Sequence, residues 1–103
     1  MENKDYLIQT KGRAVCLMLN YVIGYLKEMS FETDTYECVR IECISELYRM
    51  LIQVATITCG HDEWAQVYAF LTSIDVCIPE NLALEMGYME SISEKLPSVI
   101  VHN

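Results

Sequence analysis

Apolar residues return every three or four positions along most of this chain, and the breaks in that rhythm divide it into about four segments. In the first, Ile8, Val15, Val22 and Met29 stand seven apart, with Met18, Leu19, Tyr25 and Leu26 filling the same face. This recurrence predicts a helix over much of residues 7–29. Gly12 weakens its first turn, so a core helix can instead begin near Lys11 and leave "DYLIQT" as an arm or a short strand. Cys16, Leu17 and Ile23 lie off the stripe, which makes this helix apolar on more than one side. It is therefore either central in the bundle or part of an oligomer interface, with those three residues as the candidates for self-association.

A second helix starts at a capping signal. In "DTYE", Asp34 can cap while Glu37 sits at the third helical position, where its carboxylate can reach back. The helix is expected over 35–58, with Ile41, Ile44, Leu47, Tyr48, Leu51 and Ala55 turned inward. Glu37 with Arg40, and Glu46 with Arg49, are neighbours one turn apart on its wetter side. A third helix over 63–74 carries Trp64, Val67, Tyr68, Leu71 and Ile74 at spacings of three and four. Pro79 suits the first turn of a fourth, running toward Leu96 and stopped by Pro97, with Gly87 and "SISE" as places where it can break. The tail "SVIV" is β-prone and can lie across the bundle or pair with "YLIQT" as a short terminal ribbon. The expected fold is mainly α: one compact domain spanning 1–103, a bundle of about four helices joined by short turns.

The stretch "CGHDEW", residues 59–64, is the densest gathering of potential ligands. Gly60 supplies a left-handed helix stop, Asp62 the next N-cap, and Glu63 an acid in a first turn, which explains the stretch as a bend. Zinc requires about four ligands, and here one Cys-x-His stands alone, with the only other histidine at His102. A di-iron bundle would need Glu-x-x-His, which the chain lacks. Cys59 and His61 are two apart across a helix end and do not normally converge as a nucleophile and its base. There is no glycine-rich phosphate loop, no G-x-S-x-G and no H-E-x-x-H. No catalytic set, cofactor or metal is expected.

Composition narrows the class further. A chain of 103 residues with 52% hydrophobic and 21% charged residues is an ordinary globular domain, large enough to fold without cross-links. The five cysteines are odd in number and contain no C-x-x-C pair, as expected of free thiols in a reducing compartment. No basic head leads into an apolar run at the N-terminus, and "AVCLMLNYVIGYL" is 13 residues long and interrupted by Asn20, so neither a secretory signal nor a membrane span is expected. A cytoplasmic location is the default.

Charge is the strongest asymmetry. Residues 1–49 carry eight acids and six bases, whereas from Met50 to Glu94 there are seven acids and no Lys or Arg. With seven bases against fifteen acids, direct nucleic-acid binding is disfavoured. On a continuous fourth helix Glu80, Glu90 and Glu94 fall in an arc of about 80°, opposite Leu82, Met86, Met89, Ile92 and Leu96, while Glu85 projects among the apolar group. Such a face can be simply solvated, yet surfaces without a charge-specific partner usually mix signs. A one-sign surface also steers oppositely charged partners toward it. The expected function is that of a small acidic, non-enzymatic binding protein. It would inhibit a basic partner, such as a nuclease or another nucleic-acid-binding protein, in the manner of phage anti-defence proteins, immunity proteins and antitoxins. Its contacts would be Asp62, Glu63, Asp75, Glu80, Glu90 and Glu94. The alternative is a self-associating helical module, a homodimer through Cys16, Leu17 and Ile23, whose charge serves only solubility.

Overall fold

The structure is a computed structural model that describes the backbone of residues 2–85 and the side chains of residues 6–85. Among the described residues the chain forms four helices and no strand: α1 (Glu2–Glu28), α2 (Asp34–Cys59), α3 (Trp64–Ser73) and α4 (Glu80–Ala83). No helix among them is long and apolar enough to cross a membrane. The mainly α expectation holds. The proposed ribbon does not, because "YLIQT" lies inside α1; its other half, "SVIV", falls outside the described residues, as do Glu90 and Glu94.

The long helices α1 and α2 form a hairpin, and the side chains that meet inside it correct the reading of α1. The buried seam is Gly12, Cys16, Leu19, Ile23 and Leu26, spaced four, three, four and three, with Cys16 and Ile23 fully buried. Cys16 and Ile23 are thus core residues and not a self-association surface; of the three candidates only Leu17 is exposed. The stripe expected to face inward is instead largely exposed at Ile8, Val15, Val22, Met18 and Tyr25. What selects the seam is close approach. A Cβ built on Gly12 would stand 1.7 Å from Thr58 Oγ1 and 2.7 Å from Thr58 Cβ, so the two backbones meet at a point only glycine can occupy. Gly12 therefore does not open the helix; it lets α1 lie against α2.

At its start α2 is capped one residue earlier than the sequence suggested. Thr33 is the N-cap and its hydroxyl accepts from the Tyr36 amide at 3.4 Å, while Asp34 occupies the first helical position. Glu37 still reaches back, accepting from the Phe31 amide, and it pairs with Arg40 at 2.8 Å. These donors, Arg40 first, hold the Glu37 carboxyl below the usual carboxylate range. Arg40 also donates to the Leu26 carbonyl at 3.0 Å, tying the end of α1 to the beginning of α2. At its other end α2 stops on Gly60, in the left-handed conformation with φ 72°, whose amide donates to Thr56. The predicted inward stripe of α2 is correct apart from Ile41, which is exposed.

Trp64, Val67 and Leu71 of α3, with Ile74 just past its end, complete the core against α2. The following segment alternates, with Val76 and Ile78 buried and Cys77 exposed between them. The Tyr48 hydroxyl donates to the Cys77 carbonyl at 2.9 Å and fixes that segment across α2. Pro79 then opens α4, which buries Leu82 and Ala83.

Candidate partner-binding surface

The acids singled out by sequence are positioned by the two ends of α3 and by the start of α4. Asp62 and Glu63 lie in the turn between α2 and α3, both exposed. Asp62 is not the N-cap. That place falls to Glu63, whose carbonyl accepts from the Gln66 and Val67 amides while its side chain makes no cap hydrogen bond. Both carboxylates still lie by the amide end of α3, where negative charge is favourable. Local stability is thus a sufficient reason for these two residues.

Asp75, at the far end of α3, has no such reason. The Val76 amide donates to the Leu71 carbonyl at 2.9 Å and the Asp75 amide to Thr72 at 3.0 Å, the reciprocal pair of a Schellman stop. Asp75 occupies the left-handed position with φ 64°, where glycine is the usual residue. It also puts a negative charge at the carbonyl end of the helix, where the helix dipole favours a cation. The dipole rule argues against aspartate here, while the left-handed position is one that Asn and Asp adopt more readily than other residues bearing a Cβ. The signal was hard to see in the sequence because a helix stop without glycine does not announce itself.

Glu80 lines a cleft of about 500 Å³ formed with Trp64, Ala65, Tyr68, Ile78, Ala83 and Leu84. It is the only charged residue among those named, so the cleft has an apolar floor and one carboxylate at its edge. Tyr68, expected in the core, is instead partly exposed there, with its ring 5.5 Å from that of Trp64. Between its acidic ends the outer face of α3 is uncharged, with Ala65, Gln66, Ala69, Thr72 and Ser73 exposed. A ten-residue helix is about 15 Å long, so the end carboxylates are separated by roughly that distance.

The cations of the described chain, Lys4, Lys11, Arg13, Lys27, Arg40 and Arg49, all belong to α1 and α2. Arg13 stands over the Phe70 ring of α3, 5.7 Å from its centre, on the flank of the helix away from Tyr68. Among the described residues Asp62, Glu63, Asp75 and Glu80 take part in no ion pair. Glu85 differs from them: Arg49 bridges it to Glu46.

Within "CGHDEW", Cys59 ends α2, and Gly60 with His61 leads into the turn before α3. His61 is exposed, and Cys59 is half-buried with its thiol pushed up by burial, away from the reactive thiolate. The Cys16 thiol is pushed up to about 11 by burial and, second, by the neighbouring Cys59. Among the described residues no three of His, Cys, Asp and Glu come together as a metal site. No protein-family model, curated protein or solved structure matches this chain.

Proposed function

We propose that this protein is a non-enzymatic binding protein that captures a basic surface of another protein through the acidic surroundings of α3 and blocks it. Asp75 carries the reading: it stands at the carbonyl end of α3, where the helix dipole disfavours an acid, and such a local conflict is expected where a residue serves something other than the fold. The α3 face supplies small side chains for close contact, the Tyr68 cleft accepts an apolar anchor, and Asp62, Glu63, Asp75 and Glu80 surround them with one sign of charge. Surfaces that bind nucleic acid are basic and grooved, so a nuclease or another nucleic-acid-binding protein is the class of partner this chemistry suits. Glu90 and Glu94 extend the same charge along the sequence.

The test uses the full chain as bait in extract of its native host, followed by association kinetics with the recovered partner. A variant carrying Glu63→Lys, Asp75→Asn and Glu80→Lys should keep its helical signal and lose only a few degrees of melting temperature, since reversing an exposed charge at a helix end typically costs about 0.3–1 kcal/mol. Its association should slow at least about tenfold and lose most of its dependence on salt. A control reversing Glu28 and Glu32, in the charge-mixed half, should do much less. Equal association of both variants with the partner, or a wild-type rate indifferent to salt, would sink the proposal.

A further inference from the structure

The turning of Cys16 and Ile23 into the hairpin leaves another seam of α1 uncovered among the described residues. Leu7, Lys11, Ala14, Met18, Tyr21 and Tyr25 are spaced four, three, four, three and four, the alternation by which one helix meets another in a coiled coil. All six are exposed, with Tyr21 at 78%, Tyr25 at 65%, Met18 at 60% and Leu7 at 51%. Ile8, Val15 and Val22 widen the seam on one side and Leu17 on the other. Lys11 is its only charge.

We propose that α1 packs antiparallel against α1 of a second copy of this chain, about a two-fold axis midway between Ala14 and Met18. The occupant is argued from self-complementarity. Residue numbers that add to 32 then face each other: Leu7 meets Tyr25, Ala14 meets Met18, and Lys11 meets Tyr21 of the other copy. Small lies against large, and the one ammonium lies against an aromatic face, an attractive pairing. A parallel pair would instead set Lys11 against Lys11 and Ala14 against Ala14, like charges and a void. The seam and its flanks expose roughly 900 Å² per copy, tyrosine hydroxyls included, so a partner helix covering most of it would approach the ~800 Å² buried per partner in a stable interface. Such a contact is isologous and closes on itself, as in most homodimers. It is independent of the acidic face on α3, so either proposal can fail without the other.

Sedimentation equilibrium of the full chain between 1 and 100 µM should show a mass approaching twice the 11.9 kDa monomer. Met18→Glu with Tyr25→Glu, both at exposed positions facing Ala14 and Leu7 of the other copy, should raise the dissociation constant at least about 100-fold while leaving the helical signal unchanged. Orientation is read separately, in a background of Cys38→Ser, Cys43→Ser and Cys77→Ser, which removes the three exposed thiols. Ala14→Cys protein mixed with Met18→Cys protein should form a covalent dimer on mild oxidation, and either alone should form far less. A wild-type monomer at 100 µM overturns the proposal. So does a dimer that the paired glutamates leave intact, or cross-linking by each variant alone as strong as that of the mixture. A monomer whose Met18 is protected from oxidative footprinting would assign the seam to residues 86–103 of the same chain, and would equally overturn it.

Discussion

Gly12→Ala is expected to lower the melting temperature by roughly 10 °C, although alanine is the better helix former by about 1 kcal/mol. The added methyl would overlap the Thr58 hydroxyl and lie within 3 Å of both Thr58 Cβ and Cγ2. Rotating the threonine cannot clear its own Cβ, so α1 and α2 must separate along the seam that buries Cys16 and Ile23. Overpacking of this kind costs about 1–3 kcal/mol or more, and here it must also cancel the gain in propensity. Thr58→Ala in the same chain removes the closest contact and should restore part of the loss, giving a favourable coupling of about 1–2 kcal/mol in the double-mutant cycle. Thermal melts followed by circular dichroism decide it. An unchanged melting temperature for Gly12→Ala would mean that the helices do not cross at this point.

The second large effect separates two neighbouring stripes of α1. Ile23→Ala should destabilise by about 2–5 kcal/mol, because Ile23 is fully buried and the cavity would lie between two long helices with little room to collapse. Leu17→Ala, at a half-exposed position, should cost about 1 kcal/mol or less. Chemical denaturation of the two variants at one protein concentration gives the comparison, and the slope with denaturant should stay constant for both. Similar losses from Ile23 and Leu17 would contradict the seam described for α1.

Where a single apolar stripe existed, the sequence was enough. The extents of α2 and α3 agree with the expected ranges to within a residue at each end, because Gly60 and the buried tryptophan helix leave little choice of boundary. The inner face of α1 was not legible in the same way. Val15 and Val22 are seven apart, and so are Cys16 and Ile23; the two stripes lie about 100° apart on the helix, and periodicity alone ranks the bulkier one first. The choice is made by a tertiary fact, the meeting of Gly12 with Thr58, which no local pattern contains. The cap of α2 slipped by one residue for a simpler reason: Thr33 and Asp34 are adjacent and both competent. At the candidate surface, charge was readable as composition, placing Asp62, Glu63, Asp75 and Glu80 on one list. That Tyr68 and Ala65 frame a cleft beside Glu80, and that Asp75 stands in a glycine's position, required the backbone.

Trp64 is the chain's only tryptophan, and it is buried where α3 rests on α2, with its indole nitrogen lacking a hydrogen-bond partner among the described residues. Its fluorescence therefore reports one event, the docking of the short helix that bears the acidic surface, from an apolar setting that shifts emission to shorter wavelength. Far-ultraviolet ellipticity reports another, being dominated among the described residues by the 27 of α1 and the 26 of α2. The molecule thus carries two optical signals that divide along its architecture. Unfolding curves recorded by both distinguish a domain that opens in a single step from one whose α3 peels away while the long hairpin remains paired.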